Sequence, residues 1–187
     1  MKNYLRFPLI PFLSFICAGI FLLSLMPGGS AAAPFSRARP LMGTLVEISV
    51  EAESRKAADA VIDEAFEEIA RVDALMSSFK EESEVSLLKR HAGEGPLKIS
   101  PMLIEVLQAG VDYYSLSGGA FDITVGPLVQ LWGFAGGFKR IPSSDEITRV
   151  RSFVGSDRIV LNLSESTAYL PVKGMEVDLG GIAKGYA

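Results

Sequence analysis

Residues 7–26 contain no charged side chain, and Leu, Ile and Phe make up most of them. That run cannot belong to the same folded unit as the charged, patterned sequence after it, so it decides which residues are available to build a domain. Lys2 and Arg6 precede it, Pro27-Gly28-Gly29 interrupts it, and Ser30-Ala31-Ala32-Ala33 supplies small residues suited to a signal peptidase. That order reads as a secretory leader. Roughly 20 apolar residues also suffice to span a bilayer as a helix, so an uncleaved N-terminal membrane anchor stands as the alternative. Pro8 and Pro11 weaken a regular spanning helix. Basic residues ahead of the apolar run orient the N-terminus inward. Either version predicts an exported protein, periplasmic or on the outer face of the cytoplasmic membrane. The expected organisation is a leader or anchor over residues 1–33 and one domain from residue 34 to 187.

Charge and cysteine content narrow the classes of partner. The chain has 18 basic and 22 acidic residues, and two of the basic ones sit in the leader, which leaves 16 against 22 and a net charge of −6. No basic block survives there, which speaks against a nucleic-acid partner. Cys17 is the single cysteine, so no intrachain disulfide can form even in an oxidising compartment. Lipid attachment at Cys17 is disfavoured locally. Ile16 and Ser14 stand where a small residue and a large aliphatic one are expected, and the apolar run continues to Met26.

Beyond a linker at residues 34–40, the pattern alternates over residues 44–51, with Val46, Ile48 and Val50 facing one way. That spacing predicts a half-exposed strand. Ser54 then opens a three-and-four repeat of Ala58, Val61, Ile62, Ala65, Phe66, Ile69, Val72 and Met76, an amphipathic helix. Phe79-Lys80 breaks it, and Ser83 caps a shorter helix through Leu87 and Leu88 to Gly93. Ser100-Pro101 starts a further helix that ends at Ser117-Gly118-Gly119. Short helical segments begin at Gly126-Pro127 and Ser143-Ser144-Asp145. Residues 158–163 and 167–172 predict an antiparallel pair, and residues 175–179 a third strand. The mixture reads as α+β, a mixed, largely antiparallel sheet covered by helices. Residues 180–187 look like a strand-to-helix turn with the helix barely begun, and a short isolated helix is marginal. A piece of a longer protein is therefore expected.

Three constellations combine glycine with a functional group at an element edge. They are Leu41-Met42-Gly43-Thr44, the segment from Ser117-Gly118-Gly119 to Gly126-Pro127, and the segment from Val177-Asp178 to Ala187. Each alone has a plain structural explanation as a helix stop, cap or turn. In the third, glycines between a strand and a helix could expose successive N–H groups to phosphate oxygens, or let a carbonyl approach a metal. Lys184 adds a positive charge. The spacing is neither the dinucleotide fingerprint nor a P-loop, so this chemistry leaves a phosphate-accepting turn and a plain turn both open.

Taken together, Met42-Gly43-Thr44, Met76-Ser77-Ser78-Phe79, Gly119-Ala120-Phe121-Asp122-Ile123-Thr124 with Gly126-Pro127-Leu128, and Asp178-Leu179-Gly180-Gly181-Ile182-Ala183-Lys184-Gly185-Tyr186-Ala187 resemble the ordered motifs of the ApbE-type FAD:protein FMN transferases. The likeness runs from about residue 40 to the end, in a family near twice this length. It implies an ApbE-like α+β fold, incomplete at the C-terminus, and Mg²⁺-dependent transfer of FMN from FAD to a Thr or Ser hydroxyl of an acceptor flavoprotein, such as a membrane redox-complex subunit. By the same likeness, Met42 and Phe79 would contact the flavin or adenine part of FAD. Ala120, Phe121 and Asp122 would line its site, Asp178 would hydrogen-bond a polar part, and Lys184 would suit the pyrophosphate. Phe79 stands where the family often has tyrosine. The Gly181 position is one where the family supplies a magnesium ligand, and glycine offers only its carbonyl. The main magnesium ligands, an Asp and a Thr, belong to a C-terminal motif that these 187 residues lack.

The remaining candidates have ordinary readings. His91 is the single histidine and is expected on a helix surface; Trp132 reads as core, and Glu67 with Glu68 as a solvated helix face. Two other functions compete with transfer. One is a metal-dependent FAD pyrophosphatase with water as acceptor, and the other is a non-catalytic exported FAD-binding protein.

Overall fold

A computed structural model of the protein describes residues 34–187, and the leader and Cys17 lie outside the described residues. The described part opens with a hairpin, β1 (Phe35–Leu41) and β2 (Thr44–Val50), in full antiparallel register from Phe35 opposite Val50 to Leu41 opposite Thr44. β2 turns Val46, Ile48 and Val50 to its half-buried face as its alternation predicts. β1 corrects the reading of 34–40 as a linker. Its inward positions include Arg37 and Arg39, which hid the period-2 pattern from a search for apolar residues. Both guanidinium groups reach Asp63 on the helix below, at 2.9 and 2.6 Å. Arg39 also lies 4.6 Å over the Phe66 ring, a cation–π contact. The Arg37 hydrogen bond holds the Asp63 carboxyl below its ordinary range.

That helix, α1 (Arg55–Met76), is capped by Ser54 and buries Ala58, Ile62, Phe66, Val72 and Met76, the predicted stripe, while Val61 is exposed. α2 (Glu84–Arg90) starts at Ser83, and α3 (Pro101–Leu116) starts at Ser100, whose Oγ accepts from Leu103 N–H. The Glu84 carboxylate accepts from both the backbone N–H and the hydroxyl of Ser100, which ties the starts of α2 and α3 together. Short elements follow: α4 (Gly126–Leu131), α5 (Ser144–Arg151) and a 3₁₀ turn at Ser156–Arg158. β3 (Leu97–Lys98), β4 (Val160–Asn162) and β5 (Thr167–Tyr169) make a second antiparallel sheet in the order β3-β5-β4. The last element is α6 (Ala183–Tyr186), a single turn.

Among the described residues the strands thus form two small antiparallel sheets rather than one. The fold is α+β, and its core joins α1, α2 and α3 to the irregular C-terminal segment through Val72, Leu88, Leu103, Leu107, Ile123, Leu170, Met175, Val177 and Leu179. The expected strand at 175–179 is half right. Met175, Val177 and Leu179 are buried between Glu176 and Asp178, so the alternation exists. Its pairing is a single parallel bridge between Val125 and Glu176 plus the Asp178 N–H to the Ile123 carbonyl at 2.8 Å. The ladder stops because its partner turns at once into α4, where Pro127 has no N–H to give. No helix of the described residues is long and apolar enough to cross a membrane.

Two expectations follow from this packing. A Cβ on Gly126 would lie 2.8 Å from both the Cβ and the carbonyl oxygen of Glu176, and backbone cannot yield cheaply. Gly126→Ala should cost about 1–3 kcal/mol, as overpacked sites do, and lower Tm by several degrees in a thermal melt. The second concerns α5. Arg140 first, then the N–H and hydroxyl of Ser143, hold the Glu146 carboxyl down from 4.5 to about 2. The folded value lies below the ordinary one, so this stabilisation is complete above 4.5 and disappears as pH falls through about 2. Carboxyl NMR titration should place the midpoint there, and Arg140→Ala should move it upward.

Candidate functional site

The hairpin tip is the first contributor. Met42 and Gly43 both have positive φ, 52° and 70°, which is the two-residue turn that matches strand twist. Holding Met42 there aims its side chain at the C-terminal end of α1, where it packs on the core. The break after α1 is tightly made. Ser83, itself buried, donates its hydroxyl to the Ser77 carbonyl at 2.7 Å, and Phe79 N–H reaches the Ser77 hydroxyl at 3.3 Å. The chain turns there and leaves the Phe79 side chain 73% exposed at the cleft.

The second contributor is the segment after α3. Gly118 and Gly119 take positive φ, and the Ser117 hydroxyl accepts from Phe121 N–H at 2.9 Å. Asp122 then organises a polar knot. One carboxylate oxygen accepts from Thr124 N–H at 2.7 Å, from the Thr124 hydroxyl at 2.6 Å and from the Ser156 hydroxyl at 2.6 Å. The hydroxyls also accept, Thr124 from Gly155 N–H and Ser156 from Ile123 N–H. Thr124 and Ser156 are fully buried. This oxygen of Asp122 is therefore committed inward.

The third contributor, residues 175–187, is bound to the second by the Asp178–Ile123 hydrogen bond and the Val125–Glu176 bridge. Asp178 Oδ1 accepts from Gly180 N–H at 2.8 Å, which shapes the glycine turn. A Cβ at Gly181 would stand 3.2 Å from the Phe121 ring, so the two motifs touch at this point. Phe121 in turn meets Tyr113 edge-on, with centroids 6.1 Å apart.

Four expected residues converge. Met42, Phe79, Asp178 and Lys184 line one cleft of about 110 Å³, together with Asp73, Met76, Ser77 and Ser78. Phe121 and Gly181 instead line an open hollow of about 760 Å³ with Tyr113, Leu116 and Tyr186. Burial, then Glu105, to which its hydroxyl donates at 2.9 Å, pushes the Tyr186 pKa up and keeps that proton in place. Ala120 is exposed and borders neither space. Asp73 was missed by sequence reading because it sits on α1 like any polar-face residue and pairs with Lys80 at 2.6 Å. Ser156 gave no signal at all, being far along the chain and meaningful only through Asp122.

The other singletons behave ordinarily. His91 caps α2 and lies 2.9 Å from Glu94, and Glu68 pairs with Arg71. No group of three or more His, Cys, Asp or Glu able to hold a metal ion occurs among the described residues. Magnesium takes near-octahedral oxygen ligation, much of it from water and phosphate, and Gly181 can offer it one backbone carbonyl.

Comparison with known proteins gives a consistent picture. An FAD:protein FMN transferase of Vibrio cholerae is 31% identical over 153 residues, covering 79% of this chain and 44% of that protein. One from Treponema pallidum is 29% identical, covering 85% and 46%. The chain thus spans about half the length of the curated relatives it matches. Among solved structures, the Thermotoga maritima ApbE protein superimposes with a TM-score of 0.76 at 28% identity, over 82% of this chain and 49% of that one. The apo flavinyl transferase ApbE of Pseudomonas stutzeri gives 0.73 at 25% identity, over 82% and 51%. The ApbE family profile matches residues 42–187, most of the sequence, and the chain belongs to the ApbE family.

Proposed function

We propose that this chain supplies the dinucleotide-holding part of an FAD:protein FMN transferase. The hydroxyl oxygen of an acceptor Thr or Ser bonds to the phosphorus of the FMN half, the pyrophosphate bond breaks, and AMP leaves with the bridging oxygen. Met42 and Phe79 hold a ring of FAD, and Lys184, which lines the same cleft as Asp178, offsets pyrophosphate charge. Ala120, Phe121 and Asp122 contribute the segment on which the Asp178 turn rests. The observation that carries the reading is the direct junction of the two long motifs, the Asp178 N–H on the Ile123 carbonyl. Magnesium is the companion ion, with the Gly181 carbonyl as this chain's contribution and the remaining ligands outside the described residues. The acceptor is an exported or membrane-bound flavoprotein, such as a redox-complex subunit. This location is supported by Lys2, Arg6 and the uncharged run at 7–26.

Covalent flavin on an acceptor protein, read by in-gel fluorescence after denaturation, is the test. The 187-residue chain alone should label nothing and bind FAD weakly, because it lacks a complete cation site. The same chain joined to the C-terminal half of the Vibrio cholerae enzyme should label the acceptor, and Asp178→Ala in that chimera should reduce labelling by at least about tenfold, the loss of one charge-assisted hydrogen bond. Free FMN plus AMP from the chimera would mean a pyrophosphatase, and FAD held unchanged would mean a binding protein. Labelling by the chain alone would overturn the account of the cation.

A further inference from the structure

The loop between α4 and α5 exposes three large apolar side chains that neither the core nor the spaces described above account for. Phe134 is 61% exposed, Phe138 100% and Ile141 87%. A single exposed apolar side chain is ordinary on a surface, whereas several grouped together mark a binding surface. The loop backbone is tied at both ends, so slack in the chain does not explain the exposure. Phe134 N–H donates to the Val129 carbonyl at 3.0 Å. Gly133 packs so closely that a Cβ there would overlap the Phe138 carbonyl. At the far end, Arg140 makes a two-pronged pair with Glu146 of α5, at 3.0 and 2.7 Å. Between these ties, the small residues Ala135 and Gly137 border a second cleft of about 340 Å³. It shares Ser78, Phe79 and Asp178 with the cleft around Met42 and Lys184, and Glu176 lines it as well. Phe134, Phe138 and Ile141 line neither cleft.

Cations accompany these apolar side chains. Lys139 follows Phe138 directly, and its Nζ lies 5.8 Å from the centre of the Phe134 ring. Residues 133–151 carry Lys139, Arg140, Arg149 and Arg151 against Asp145 and Glu146, a local charge of +2 in a chain that is −6 beyond its leader. We propose that this loop is a membrane-contacting surface. Phe138 and Ile141 enter the boundary between the headgroups and acyl chains of an anionic bilayer, and Lys139 stays at the level of the lipid phosphates. A lysine stem can cover apolar surface while its ammonium remains in the polar layer, and anionic lipid attracts clustered cations. Protein–protein interfaces also enrich aromatic residues but are depleted in lysine, so a lipid surface fits Phe138-Lys139 better than another protein does. The exported location proposed above, on which this inference rests, brings such a bilayer within reach. The inference goes beyond the transfer reaction, because the contact needs neither the N-terminal run nor any flavin.

The chain from residue 34, which contains the core described above, is mixed with vesicles of phosphatidylglycerol and phosphatidylcholine or of phosphatidylcholine alone. The bound fraction is read by flotation. The chimera with the C-terminal half of the Vibrio cholerae enzyme, likewise begun at residue 34, is run beside it. Both should bind the anionic vesicles several-fold better than the neutral ones, and less well in about 1 M salt, where screening shortens the reach of charge to about 3 Å. Phe138→Ser with Ile141→Ser should weaken binding by at least about tenfold, the order expected when two large apolar side chains no longer leave water. Phe138→Trp should bind as the parent does, and brominated lipid should quench the introduced indole beyond the quenching of Trp132 measured in the parent. Absence of vesicle binding by the chimera, equal binding to neutral vesicles, full binding by the double variant, or an unquenched indole would each overturn the assignment. So would a dimer that the double variant abolishes, since a second copy would then be the occupant. The comparison of vesicle types needs no variant and holds even where a substitution disturbs folding. FMN transfer to a soluble acceptor is read on the same chimeras. Transfer without vesicle binding removes the surface and keeps the transferase reading, and vesicle binding without transfer does the reverse.

Discussion

The site depends on one backbone hydrogen bond between segments far apart in sequence, the N–H of Asp178 on the carbonyl of Ile123. Both groups sit where water is scarce, since Ile123, Val177 and Leu179 are all but inaccessible. An amide left unpaired there would cost about 1–3 kcal/mol, more than the net worth of the bond when made. The asymmetry makes the junction restrictive. Any rearrangement that parts the two segments strands a donor and an acceptor together. With the junction formed, Glu176 and Asp178 point to the open side while their apolar neighbours fill the core. A single extended segment thus serves two clefts.

The partner segment is held just as firmly, by a carboxylate in place of a ladder. Asp122 receives three donors on one oxygen, and two of those donors are hydroxyls that accept in their turn. Such a network is costly when half satisfied and rigid when complete. It fixes the 121–124 backbone to the turn at Ser156, and through Ile123 it fixes the height of the Asp178 turn. Phe121 is left to rest against Gly181, where any side chain would push the ring aside. Asp122 therefore acts first on its own chain. Its motif is dense with small and polar residues because a tight turn must satisfy its own backbone.

On the opposite flank, α1 and the break after it decide what the first cleft can hold. The amphipathic stripe ends at Met76, and the Ser77–Ser83 contact stops the chain from fraying into solvent. Phe79 thereby lines one cleft together with Met42 from the hairpin tip, Asp178 and Lys184. A cleft lined by both apolar side chains and charges of both signs favours a ligand that is itself part ring and part anion.

Much of this was legible from the residues alone. The helix starts at Ser54, Ser83, Ser100 and Ser143 and the alternation in residues 44–51 are local signals, set by caps and periodicity within a few residues, and the structure keeps them. The order of the glycine-bearing motifs carried the family membership without any coordinates. The first strand was hidden because its inward side chains include arginines, stabilised by Asp59, Asp63 and Phe66 on a helix that no strand pattern can foresee. The division of the expected contacts between two spaces, the inward turn of Asp122, and the exposure of Phe134, Phe138 and Ile141 on one loop were likewise beyond the sequence. Periodicity reports which face a side chain takes within its own element. Which groups meet across elements is fixed by long-range packing and by the demand that every buried donor and acceptor find a partner, and only the tertiary structure decides that.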